Sequence, residues 1–165
     1  MRKVDFPSSI KYVAESEPLM VKQDVADYAA IPLYNVRAAA GGGAIVEHEA
    51  IVDVLHFKEE WIRNELRANP ADLYLIYVDG ESMEPTLRPG DVILVDHRDV
   101  GPSRDGIYVL RTDGALLVKR LQRLPGGVLR VTSDNSSYEP FNISLTQLAE
   151  DFAIIGRVVW VGSRM

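Results

Sequence analysis

From residue 73 onward, the chain alternates short apolar runs with polar and glycine-containing breaks. Runs rich in Val, Ile, Leu and Tyr predict six β-strands, over residues 73–78, 91–96, 106–111, 115–121, 127–132 and 153–161. Gly, Pro, Asp and Asn separate these runs at near-regular intervals, and no internal repeat is present. The pattern predicts a mainly β domain of small, coiled antiparallel sheets.

Helical periodicity is much weaker. Apolar residues at helical spacing predict one helix from about Lys58 to Ala68, which Asn69-Pro70 would end. A second short helix fits residues 145–150, with Ser144 as its N-cap. Residues 31–36 fit a short edge strand. The three consecutive glycines after Ala40 indicate a flexible hinge over residues 37–43.

Residues 1–30 show no sustained period and are interpreted as an arm or linker, which leaves residues 31–165 as the folded domain. With 18 Lys and Arg against 24 Asp and Glu, the net charge is −6, which disfavours direct binding to phosphate backbones. The absence of cysteine excludes disulfides, cysteine zinc sites and thiol nucleophiles. Three scattered histidines offer little to a metal, so we expect no metal and no cofactor.

Membrane and secretion signals are also missing from the sequence. The longest apolar runs fall far short of a membrane span, and the first residues do not resemble a signal peptide. We therefore expect a soluble, cytoplasmic protein with no membrane partner.

One predicted hairpin places a lysine in an unusual position. Asp113-Gly114 is a strong two-residue turn signal, and closing the turn pairs Thr112 with Ala115 and Tyr108 with Lys119. Side chains alternate along a strand and directly opposite pairs share a face. Lys119 then shares an apolar face with Leu110, Leu117, Leu121 and Tyr108. It could still reach the rim, or turn outward after a register slip.

A buried lysine amine costs free energy unless it is neutral or paired, and a neutral amine is a base. Ser82 lies just beyond the end of the first predicted strand, on a turn that could expose its hydroxyl. An isolated serine in a polar loop usually has no chemical role. A serine–histidine–aspartate triad could draw only on His97, near Asp96 and Asp99, or on the earlier His48 and His56. None of these histidines has a supporting context.

Several ordered blocks resemble the LexA-type self-cleaving repressors, which include LexA, the phage lambda-type repressors and the UmuD mutagenesis proteins. The blocks are Gly80-Glu81-Ser82-Met83-Glu84-Pro85-Thr86, Gly90-Asp91, Val118-Lys119-Arg120-Leu121, Ser133-Asp134-Asn135 with Tyr138 and Pro140, and Ile155-Gly156-Arg157-Val158-Val159-Trp160. The resemblance covers about residues 31–165 and is closest to the phage-type repressors. It implies a LexA/signal-peptidase-like fold with one or two short helices.

The resemblance also implies a serine–lysine peptidase that cuts its own chain. Ser82 matches the nucleophile and Lys119 the general base, with the backbone amides of Glu81 and Ser82 as the oxyanion hole. The matching scissile bond is Ala40-Gly41, although Gly42 and Gly43 leave a neighbouring cut open. Family members cleave themselves on meeting a RecA filament on single-stranded DNA, which makes that filament the expected trigger.

One part of the family pattern is missing, because residues 1–30 do not resemble a helix-turn-helix domain. We therefore expect the C-terminal part of a repressor, or a headless relative, with operator binding only through the missing domain. Family members pair through this domain, so a homodimer is expected. The alternatives are a headless UmuD-like protein of the SOS response, a dimerisation module that never cuts itself, and a signal peptidase, which would need a membrane anchor.

Overall fold

The computed structural model describes residues 25–40 and 50–165, and β-strands dominate both parts. The described strands are β1 (Tyr28–Ala40), β2 (Ile51–Lys58), β3 (Leu73–Gly80), β4 (Val92–Asp96), β5 (Gly106–Thr112), β6 (Ala115–Leu124), β7 (Val128–Thr132), β8 (Phe141–Ser144) and β9 (Ala153–Gly162). A short helix α1 (Glu59–Trp61) continues into a π-helical turn at Ile62–Leu66. Among these residues no helix is long and apolar enough to cross a membrane. The predicted mainly β fold is confirmed.

The strands form one sheet that closes on itself. Their order is β2-β1-β3-β4-β9-β5-β6-β7-β8, and an additional β1–β6 pairing joins six of them into a ring. Most neighbours are antiparallel, but β1 runs parallel to β3 and to β6. The closing contact is the pairing of Ala39 in β1 with Leu117 in β6, while β2 and β8 remain the outer strands. The C-terminal part of β1 is thereby held between β3 and β6.

The predicted hairpin has the expected register. Thr112 pairs with Ala115, and the pairing continues through Tyr108 with Lys119. Asp113 and Gly114 have φ values of 50° and 74°, which is the left-handed conformation that this turn requires. All six predicted strands are present, with ends displaced by up to three residues. The local turn chemistry therefore fixes which residues of β5 and β6 face each other.

Two predictions for β1 are wrong. Residues 31–36 are not an edge strand, because β2 pairs with β1 on the outer side and β3 on the inner side. The hinge predicted from residue 37 is also wrong as far as Ala40, since β1 continues to that residue through its pairing with β3. Residues 41–43 lie outside the described residues. Of the predicted arm, residues 1–24 lie outside them too, while β1 already begins at Tyr28.

The predicted helices are the other corrections. The first is shorter than expected and ends in the π-helical turn, because Arg67 adopts a left-handed conformation with φ 53°. The second is absent: residues 145–150 form turns, in which the Leu145 amide bonds to the Gly127 carbonyl at 2.8 Å. Strands β2 and β8 were not predicted at all. Both flank the sheet and carry exposed apolar residues, such as Ile51 and Phe141.

Candidate active site

The loop that follows β3 carries Ser82 and is anchored by its own apolar residues. Gly80, with φ 77°, turns the chain out of the strand. Met83 and Leu87 are buried in the core cluster that includes Val78, and the Leu87 amide bonds to the Met83 carbonyl at 2.9 Å. This anchoring draws the neighbouring serine inward, so Ser82 is fully buried. A buried hydroxyl needs a hydrogen-bond partner.

Lys119 of β6 supplies that partner. Its side chain is only 6% exposed, beside the buried Tyr108 and Leu121, so the apolar face predicted for it is confirmed. Its Nζ donates hydrogen bonds to Ser82 Oγ at 2.7 Å and to Ser133 Oγ at 2.9 Å. The contact joins two residues 37 positions apart in the chain. The structure thus brings together the two residues singled out from the sequence.

Burial lowers the pKa of the Lys119 amine, because leaving water penalises its charged form. Lys119 makes no ion pair with any residue of the described part of the chain. The Nζ atom does lie 5.4 Å from the centre of the Tyr138 ring, a contact that favours positive charge. Desolvation therefore favours the neutral form of the amine, whose lone pair can accept a proton.

The segment after β7 binds both parts of the site. Ser133, itself buried, accepts from Lys119. Asp134 accepts two bonds of 2.7 Å from Arg120 and one of 2.5 Å from the Thr86 hydroxyl. The Arg120 guanidinium, followed by the Thr86 hydroxyl, lowers the pKa of Asp134 against the opposing effect of burial. The segment therefore ties the serine loop to β6.

Residues 133–135 form one block of the family resemblance, but neither that block nor the strand pattern assigns a role to Ser133. The available signal was a run of Ser, Asp and Asn directly after a strand that pairs with the lysine strand. Period-two patterning identifies strands but says little about loop side chains beyond a strand end. The sequence pattern therefore does not identify Ser133 as a partner of Lys119.

The backbone of β1 runs along one side of this site. Ala38, Ala39 and Ala40 pair in parallel with Val78, Asp79 and Gly80, and Ala39 also pairs with Leu117 of β6. Ala40 is therefore aligned with a residue only two positions before Ser82. Gly41, the other half of the predicted scissile bond, lies outside the described residues.

The histidine alternative receives no support from the geometry. His97 stacks against Tyr74, with ring centroids 6.4 Å apart, and its Nε2 lies 4.0 Å from Asp72 Oδ1. The hydroxyl of Ser82 is instead contacted by Lys119. A serine–histidine–aspartate triad through His97 is therefore not formed.

A family model described as Peptidase S24-like matches residues 32–159. The chain belongs to the Peptidase S24-like family. This confirms the family resemblance drawn from the serine and lysine blocks, and the match covers almost the whole range predicted for the domain.

Individual relatives of this S24-like chain carry regulator names. It is 36% identical to the 26 kDa repressor protein of Escherichia phage HK022 over 120 residues, which are 71% of this chain and 51% of that repressor. It is 32% identical over 141 residues to the HTH-type transcriptional regulator PrtR of Pseudomonas aeruginosa, covering 81% of this chain and 53% of PrtR. The LexA repressor of Colwellia psychrerythraea is 28% identical over 120 residues, 72% of this chain and 55% of that protein. The chain spans about half the length of these curated relatives.

Proposed function

We propose that this S24-like chain is the self-cleaving C-terminal domain of a LexA/CI-like transcriptional repressor, with Ser82 as nucleophile and Lys119 as general base. The observation that carries the proposal is the 2.7 Å contact between Lys119 Nζ and Ser82 Oγ in a buried setting. Serine is a weak nucleophile until a base within hydrogen-bond reach removes its proton. A desolvated lysine is such a base.

The proposed reaction begins with a neutral Lys119, whose lone pair takes the Ser82 hydroxyl proton as Oγ attacks the Ala40 carbonyl carbon. The backbone amides of Glu81 and Ser82 stabilise the resulting oxyanion. The bond to Gly41 then breaks, and Lys119 returns the proton to the leaving amine. Water, activated by the same lysine, hydrolyses the acyl-enzyme and regenerates Ser82.

Strand β1 supports the choice of Ala40. An extended segment paired along a strand edge presents its carbonyls in register with the site, as peptide substrates do when they add a strand to a sheet. Ala38, two residues earlier, is fully buried in the same cluster as Met83 and Val118. Because substrate and site share one chain, no encounter step is required.

The regulator names of the relatives support a role for the proposed chemistry in transcriptional control. In the proposed parent protein, DNA is contacted by a separate domain. That domain would correspond to the half of the relatives' length that this chain does not span. Pairing of two such domains in a homodimer would set two DNA-binding domains on a two-fold operator. Self-cleavage, triggered by a RecA filament on single-stranded DNA, would separate those domains from the pairing module. No cofactor takes part.

The test is to incubate the purified chain at pH 7 and about pH 10 and to identify fragments by mass spectrometry. We expect a cut after Ala40 that is faster at the higher pH and vanishes in Ser82→Ala and in Lys119→Ala. Lys58→Ala, which removes a largely exposed lysine, and Ser103→Ala, in an exposed loop, are the matched controls. Cleavage that persists in either site variant would show that the assigned roles are wrong.

A further inference from the structure

Asn135 holds the peptide groups on both sides of Ser82. Its side-chain Nδ2 donates to the Glu81 carbonyl at 3.1 Å, and its backbone amide donates to the Ser82 carbonyl at 2.9 Å. Its Oδ1 accepts from the Ser137 amide at 3.0 Å, which fixes the orientation of the side-chain amide. Asn135 thus spans 54 residues of sequence to reach the serine loop.

The Glu81 carbonyl and the Ser82 amide belong to one peptide group. In a planar trans peptide the C=O and N–H bonds point in opposite directions, so fixing one fixes the other. The side-chain bond from Asn135 also polarises that peptide, which strengthens its N–H as a donor. We infer that Asn135 is a positioning residue that aims the Ser82 amide at the oxyanion. This inference rests on the proposed function.

Loop anchoring alone does not account for this contact. Met83 and Leu87 already anchor the loop in the core, and Thr86 ties it to Asp134. Asn135 is only partly buried and belongs to none of the hydrophobic core clusters of the described residues. Its bond to Glu81 therefore affects the direction of one peptide group more than the stability of the fold.

The test measures the cleavage rate of the whole chain from about pH 6 to pH 11. Asn135→Ala should lower the cleavage rate on the high-pH plateau by about 10-fold to 100-fold. This loss should not exceed the loss caused by deleting a direct oxyanion donor. The pH midpoint should stay in place, because it reports Lys119, whose amine bonds Ser82 and Ser133 rather than Asn135. Asn142→Ala, on the outer strand β8, is the matched control and should cleave like the wild type.

Asn135→Asp is the second variant, to be used if circular dichroism shows that Asn135→Ala is unfolded. It keeps an acceptor for the Ser137 amide, removes the donor to Glu81 and adds a negative charge. Its plateau should fall like that of Asn135→Ala, while its added negative charge moves the midpoint upward.

A plateau within twofold of the wild type in the folded variants would overturn the inference and leave the proposed function intact. A loss in Asn135→Ala that comes with a displaced midpoint would show a general disturbance of the site, and would also overturn it. If the wild-type chain shows no cleavage that depends on Ser82, the proposed function fails and this inference fails with it.

Discussion

Removing the Ser133 hydroxyl should have opposite effects on two properties of Lys119. It should increase the neutral fraction of the amine and weaken the alignment of the amine with Ser82. Ser133 accepts a 2.9 Å hydrogen bond from the amine, and both residues are buried. In Ser133→Ala, the amine loses one of its two hydroxyl partners and keeps its contact with Ser82. We expect the pKa of Lys119 to fall further and its position to become less defined.

The magnitudes follow from hydrogen-bond strengths. A bond to a charged group contributes about 1.5–3 kcal/mol and one to a neutral group about 0.5–1.5 kcal/mol, so this bond favours the charged amine by about 1 kcal/mol. Losing it raises the ratio of neutral to charged amine about fivefold. Poorer alignment of the base should lower the plateau rate about tenfold. On the acid limb the two effects oppose, and the net loss should be only about twofold.

The assay is the first-order cleavage rate against pH, read from fragment masses, with circular dichroism to check folding. On the acid limb the wild-type rate should rise tenfold per pH unit, since only the neutral amine acts. In Ser133→Ala the midpoint should lie at lower pH and the plateau should be reduced. A midpoint displaced to higher pH, or an unchanged plateau, would refute the assigned contribution of Ser133.

Three further predictions concern the strand beside the site, the acid limit and the packing. Ala38→Leu should slow cleavage by about 10-fold to 100-fold in the same assay, because overpacking a fully buried position costs about 1–3 kcal/mol; an unchanged rate would contradict this. The paired Arg120 guanidinium lowers the pKa of Asp134, so the ionised carboxylate contributes about 1–2 kcal/mol to the free energy of unfolding. This contribution is present above about pH 4 and is lost as the pH falls through the lowered pKa. In urea unfolding, Asp134→Asn should therefore lose less stability between neutral and acid pH than the wild type. Gly156→Ala would place Cβ 2.6 Å from the Asp96 carbonyl oxygen and should reduce the free energy of unfolding by about 2 kcal/mol, whereas Gly101→Ala, with nothing within 4 Å, should change it little.

The hairpin and the position of Lys119 could be predicted because local chemistry determines them. A two-residue Asp-Gly turn fixes the register, and strand alternation then fixes the face. The juxtaposition of Lys119 with Ser82 is different in kind. It depends on how β3 and β6 are arranged through β1, a long-range relation that neither strand's pattern contains. The family resemblance supplied it.

The missed elements show where tertiary context overrides local preference. The alanines at the end of β1 have weak strand propensity and precede three glycines, yet two neighbouring strands supply their hydrogen-bond partners. Strand β2 lacks the expected alternation because Ile51, Val52 and Val54 are all exposed on the outer strand. Burial, which the period-two argument presupposes, is absent over residues 51–54 of this strand.

The position of β1 in the closed ring bears on what happens after hydrolysis. A cut following Ala40 would leave β1 on the amino-terminal fragment while its partners β2, β3 and β6 remain on the other. Ile31, Leu33, Val36 and Ala38 would still be buried, and each of the three larger side chains contributes about 1.5–3 kcal/mol through that burial. The nicked molecule would thus persist as a non-covalent complex. Separation of the two fragments would then depend on the dissociation of β1, and native electrophoresis would detect its lag behind bond scission.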